Sequence, residues 1–76
     1  MRELFLITGA DCPLCEEAKD ILDSVSLKDV IIIEKDIYST RKIYDDFWDK
    51  IPVIMVEQKI LCWPFNGEEI RNLVSR

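Results

Sequence analysis

Two cysteines stand two residues apart in the stretch Thr8-Gly9-Ala10-Asp11-Cys12-Pro13-Leu14-Cys15-Glu16-Glu17-Ala18, where an apolar run (Leu4 to Ile7) gives way to an amphipathic one (Leu14 to Val25). Cysteines at this spacing beside a strand-to-helix junction read as a redox pair. If a helix opens near Pro13, the unpaired N–H groups of its first turn and the positive end of its dipole face the Cys12 sulfur. Both favour the thiolate, which is the attacking form. Cys15 falls on the same side of that turn, within reach of Cys12. Cys12 then attacks a substrate disulfide and Cys15 resolves the mixed disulfide. Pro13 suits the first helical position, where its φ is already helical and no N–H is lost. Asp11 opposes this. A carboxylate beside Cys12 raises its pKa unless it points away or caps the helix itself.

A zinc half-site and two incidental cysteines are the other readings of the pair. Tetrahedral zinc takes four ligands, usually Cys or His. Three cysteines and no histidine exclude a complete Cys/His site within one chain, which leaves only a metal shared between two chains. No metal ligand is assigned.

The totals narrow the rest. Seventy-six residues are read as one domain, 1–76, with one modest core. A disulfide between Cys12 and Cys15 closes too short a loop to add much chain-entropy stabilisation, so its use is chemical. A formal net charge of −5 argues against nucleic acid and against an anionic membrane surface as partners. No apolar run approaches a membrane span and no signal-peptide pattern opens the chain, so a reducing cytoplasm is the expected location.

The elements that must position the cysteines follow from periodicity. Glu3 to Thr8 reads as a strand covered on both faces, with Gly9 and Ala10 letting the chain turn. Leu14, Ala18, Ile21, Leu22 and Val25 share one face of a helix. Val30 to Ile33 is a second continuous β-branched run and is expected to be a second buried strand. Strand, helix and strand in succession form a right-handed crossover with parallel strands. Ser39 or Thr40 caps a second helix, whose apolar side is Ile43 and Phe47, with Tyr44 and Trp48 expected to add to it. Ile51 to Val56 is a third strand opened by Pro52. Glu57-Gln58-Lys59 turns it into a fourth, Ile60 to Trp63, as an antiparallel hairpin. Asn66 and Glu69 resemble a capping box for a last helix with Ile70, Leu73 and Val74 inward. Cys62, late in a strand, reads as a small buried hydrophobe; the alternative is a third redox thiol or a site of glutathionylation. The order is β-α-β-α-β-β-α, an α/β fold.

That order, with Cys12-Pro13-Leu14-Cys15 after the first strand and Ile51-Pro52 opening the third, resembles the glutaredoxins and the wider thioredoxin fold, over essentially the whole chain. Within them it is most similar to a small bacterial branch called glutaredoxin-like. The resemblance implies a four-stranded mixed sheet of order 2-1-3-4, the third strand antiparallel to the first. Helices one and three would cover one face and helix two the other. It implies a cis Ile51–Pro52 bond beside Cys12, and a substrate held by main-chain hydrogen bonds to Ile51. Pro13, Ile51 and Pro52 are then the substrate-binding residues, and Cys12 and Cys15 the catalytic ones. The chain departs from typical glutaredoxins in three places. Leu14 stands where they carry Tyr or Phe, and Gly9 where they carry a basic residue for a glutathione carboxylate. Trp63-Pro64-Phe65-Asn66-Gly67 replaces their Gly-Gly and acidic or hydroxyl clamp.

The expected activity is thiol–disulfide exchange with no tightly bound cofactor and glutathione as a candidate co-substrate. The expected partners are a disulfide-containing protein or a glutathione mixed disulfide, and a thiol reductant; a monomer is expected. The alternative is a thioredoxin-fold binding module with little redox activity, its aromatics Trp48, Trp63 and Phe65 forming a docking patch, or a metal or iron–sulfur site shared between two chains.

Overall fold

β1 (Arg2–Thr8) is the strand from which the sheet grows in both directions. β2 (Val30–Asp36) pairs with it in parallel, Leu6 opposite Glu34. β3 (Val53–Val56) pairs on the other side, antiparallel, with Leu6 opposite Ile54. β4 (Lys59–Cys62) completes the hairpin, Val53 opposite Cys62. The computed structural model describes residues 2–75, and in it the sheet order is β2-β1-β3-β4, the order the resemblance implied.

Alternation along β1 splits its apolar run between two cores. Leu4 and Leu6, with Ile54 and Val56, lie under Ala18 and Leu22 of α1 (Pro13–Ser24), beside Phe65 and beside Ile70 of α3 (Gly67–Val74). Ile7 and Val53 face the other way, onto Ile37 and onto Phe47 of α2 (Arg41–Phe47). Thr40 caps α2, its Oγ1 accepting the Ile43 N–H at 3.1 Å. The Asn66–Glu69 capping box is complete: Asn66 Oδ1 accepts the Glu69 N–H at 2.8 Å and Glu69 Oε1 accepts the Asn66 N–H at 3.0 Å. A cap of this kind is worth about 1 kcal/mol. Asn66→Ala should therefore lower the melting temperature by roughly 4–8 °C for a domain of this size, read by a circular-dichroism melt.

Several expectations fail, the first of them because a linear pattern does not say which strand lies at an edge. β2 is an edge strand, and Ile31 and Ile32 are each 45% exposed rather than buried. Cys62 is exposed, not buried. It lies on the edge strand β4, opposite Val53 and therefore on the face that α2 covers, and seven residues of α2 are too few to roof that face. Trp48 is 58% exposed because α2 ends at Phe47 and Trp48 is only its C-terminal cap. Tyr44 is exposed too, stacked on Tyr38 at 5.4 Å between ring centroids. Leu14 is exposed: at the start of α1 the inward slot belongs to Cys15. Val25 caps the end of α1 instead of extending its stripe. β3 begins at Val53, so Ile51 and Pro52 precede the strand.

Among the described residues no helix is long and apolar enough to cross a membrane.

A polar link ties α1 to the sheet. Nearly buried Thr8 donates its hydroxyl to Glu34 at 2.9 Å, and Lys19 reaches Glu34 at 3.0 Å and Glu16 at 3.5 Å. The Lys19 ammonium, and then the Thr8 hydroxyl, hold the Glu34 carboxyl below its ordinary value of 4.5. The hydrogen bond to Glu34 is in turn the main cause that raises Lys19 above 10.5. A carboxyl depressed in the folded state stabilises the fold above its unfolded pKa and loses that contribution as pH falls through the folded one. The raised ammonium contributes below its unfolded pKa and loses its share as pH rises through the folded one. Glu34→Gln should therefore lower stability modestly in the neutral region, where the depressed carboxylate contributes, and flatten the acid limb of the stability–pH curve below about 4.5, where wild type and variant converge. Urea melts at stepped pH check this, and an unchanged acid limb contradicts it.

Candidate redox site

β1 delivers the chain to one end of the sheet at Thr8, and the next four residues set the cysteines. Sequence reasoning gave the turn to Gly9 and Ala10, but the left-handed residue is Asp11, with φ 53°, a conformation Asp tolerates better than most residues. Gly9 has another task. A Cβ there would lie 2.8 Å from Ile51 Cδ1 and 3.6 Å from Ile37 Cγ2. The missing side chain lets Ile51 pack against the loop that leads into Cys12, a close approach that only glycine permits without displacing it.

Cys12 is the N-cap of α1, extended at φ −116° and ψ 97°. Its carbonyl accepts the N–H groups of Cys15 (3.1 Å) and Glu16 (3.3 Å), and its Sγ accepts the Cys15 N–H at 3.2 Å. The sulfur itself thus occupies the place where a helix start presents orphan donors, and Asp11, left open as a capping residue, does not cap. Pro13 is the first helical residue and is exposed.

Cys12 and Cys15 are joined by a disulfide, with their Cα atoms 5.2 Å apart. The two sulfurs differ in access: Cys12 is half-buried and Cys15 is 1% exposed.

Ile51 and Pro52 come to the same end of the sheet. The Ile51–Pro52 bond is cis. Pro52 is buried, and its carbonyl accepts the Trp63 N–H at 3.2 Å. Among the described residues the N–H and C=O of Ile51 take no backbone or side-chain partner. A second cis bond, Trp63–Pro64, escaped sequence reasoning, since Trp-Pro at the close of a strand reads only as a terminator. Trp63 sets its ring edge-on to Phe65, centroids 5.0 Å apart. The five residues singled out as catalytic or substrate-binding therefore gather at one end of the sheet. Among the described residues no three His, Cys, Asp or Glu side chains converge to hold a metal ion.

A four-stranded mixed sheet of this order, α1 and α3 on one face and α2 on the other, with a cysteine pair opening α1 and a cis-proline before β3, defines a protein of the thioredoxin-like α/β class. The sequence matches the model of the glutaredoxin-like domain (DUF836) over residues 3–75, so the chain belongs to that family. Its structure is similar to the X-ray structure of the Northeast Structural Genomics target protein XcR50 from X. campestris. The TM-score is 0.78 with 22% sequence identity, over 95% of each chain, a likeness of fold. Among curated proteins none matches.

Proposed function

We propose that this chain is a thiol–disulfide oxidoreductase. The observation that carries the reading is the unequal access of two bonded cysteines at the start of one helix: Cys12 half-open at the N-cap, Cys15 shut beneath it. In the reduced protein the Cys12 thiolate attacks one sulfur of a substrate disulfide. The other substrate sulfur leaves as a thiolate and takes a proton. Cys15 gives up its proton and attacks Cys12 Sγ, and the second substrate thiolate leaves. The substrate gains two electrons and two protons, and Cys12–Cys15 becomes the disulfide. An external thiol reverses the last change, which fits a chain working in a reducing cytoplasm. The free main-chain groups of Ile51 hold the substrate as a short added strand, with Pro13 and Pro52 bounding the approach.

The test is reduction of a protein interchain disulfide in the presence of a thiol reductant. Wild-type protein should accelerate it. A rate equal to that of the reductant alone would overturn the reading. The exposed Trp48 favours a second reading, a docking module whose cysteine pair turns over little; that reading predicts the reductant-only rate together with capture of a partner through the Trp48 surface.

A further inference from the structure

The charges around the pair name a class of substrate, and this inference rests on the oxidoreductase reading. We infer that the site prefers disulfides in cationic polypeptide segments and disfavours anionic ones, glutathione disulfide among them.

From Glu3 to Ala18 there is no Lys or Arg, while Asp11 adjoins Cys12 and Glu16 and Glu17 follow Cys15, all three exposed. The nearest cation along α1, Lys19, is engaged by Glu34 and Glu16. On the other segments that run to or from this end of the sheet, Arg41 pairs with Asp45 at 3.4 Å, Lys42 with Asp46 at 3.3 Å and Lys50 with Asp49 at 3.2 Å, and Arg71 lies in the last turn of α3, away from its start. Lys35 sits over the Phe5 ring, 5.4 Å from its centroid. The second helix start here belongs to α3, reached directly from Trp63, which is bonded to Pro52. A bare helix start attracts anions. This one is closed by its own capping box and carries Glu68 and Glu69 in its first turn. Nor does position 9 offer a cation: it is glycine, with the tip of the Ile51 side chain lying where a Cβ would sit.

A carboxylate brought to Cys12 thus meets Asp11 and Glu17, with Glu16 beside them shared with Lys19, and no Lys or Arg anywhere from Glu3 to Ala18. Beside the sulfur the surface is apolar, with Leu14 and Pro13 exposed. A Lys- or Arg-flanked disulfide segment matches both features. Surface fields of one sign change association rates by roughly 10- to 1,000-fold at low salt, and the effect is screened as the Debye length shrinks from about 30 Å at 0.01 M to about 3 Å at 1 M.

The experiment uses the full chain, pre-reduced and freed of reductant, in single turnover. Four probes are compared: one peptide disulfide flanked by Lys, the same peptide flanked by Glu, glutathione disulfide, and neutral hydroxyethyl disulfide. Each reaction moves two electrons and two protons from Cys12 and Cys15 to the probe, followed by acid quench and mass. At about 0.01 M salt the Lys-flanked peptide should oxidise the protein at least about tenfold faster than the Glu-flanked peptide or glutathione disulfide. At about 1 M salt, where screening is nearly complete, the gap should close to within about twofold, and it should narrow in the Asp11→Asn/Glu16→Gln/Glu17→Gln variant. Equal or reversed rates at low salt, with the neutral probe reacting, overturn the charge preference alone. Failure of all four probes to oxidise the pair overturns the oxidoreductase reading together with it.

Discussion

Cys15→Ser, in a Cys62→Ser background, should turn the chain into a trap: a covalent mixed disulfide between Cys12 and the substrate accumulates, and turnover falls to the uncatalysed rate. The reason is the division of access between the two sulfurs. On the proposed mechanism Cys12 is the sulfur a partner meets, and once it is linked to that partner the intramolecular thiol left to release it is Cys15, one turn along and buried. A serine hydroxyl there is about as large but does not attack a disulfide, because thiolate is the nucleophile in exchange. Cys12→Ser should give the opposite record, no adduct and no turnover, since Cys15 is 1% exposed and no substrate sulfur reaches it. Removing Cys62 matters because it is exposed and would form adducts of its own. Intact-mass measurement after incubation with a disulfide peptide, under denaturing acid, reads both results. An adduct on the Cys12→Ser chain, or turnover retained by Cys15→Ser, contradicts the assignment.

The second large effect concerns the fold that holds the pair. Ile54 is fully buried in β3, opposite Leu6 and Leu61, in the core that α1 and α3 share. Truncating a buried Ile to Ala costs about 2–5 kcal/mol through lost transfer energy and the cavity left behind. A chain of this size is expected to be stable by only about 4–11 kcal/mol in total. Ile54→Ala should therefore remove a large part of the margin and lower the melting temperature by about 10 °C or more. The same molecule, kept well below its midpoint, should still form the Cys12–Cys15 disulfide, because Ile54 belongs to the core between the sheet, α1 and α3 and not to the loop that sets the cysteines. Thermal and urea melts check the first point, and thiol counting on the folded variant checks the second. A melting temperature within a few degrees of wild type would show that the core is less tightly shared between α1, α3 and the sheet than its burial indicates.

Much of this architecture is legible in the sequence. Continuous apolar runs at Leu4–Ile7 and Val30–Ile33 marked parallel strands. The 3.6-residue stripe through Ala18 and Leu22 marked α1, and Asn66 with Glu69 marked the start of α3, because each is a local pattern with a local cause. Cys12, Pro13 and Cys15 were legible for the same reason. What was not legible depends on which elements meet. An apolar run does not say that β2 is an edge strand, so Ile31 and Ile32 were expected inside. Cys62 was expected inside because alternation along a four-residue strand does not reveal that its face outruns α2. The task of Gly9 appears only when Ile51, distant in sequence, lands against it. The Thr8–Glu34–Lys19 link joins three elements, and no single stretch of sequence contains it.

The account depends on Cys12 and Cys15 forming a working two-electron couple, and a redox titration read by mass addresses that without any assumption about the substrate. The protein is equilibrated in buffers of stepped dithiol–disulfide potential, quenched with acid, alkylated and weighed, with Cys62 replaced by serine. The expected result is one reversible transition, dithiol to disulfide, with a midpoint within the span of thioredoxin-fold couples, about −270 to −120 mV, and the same curve from the oxidising and the reducing side. Two thiols that alkylate at every potential in that range, or a disulfide that never opens within it, would contradict the account.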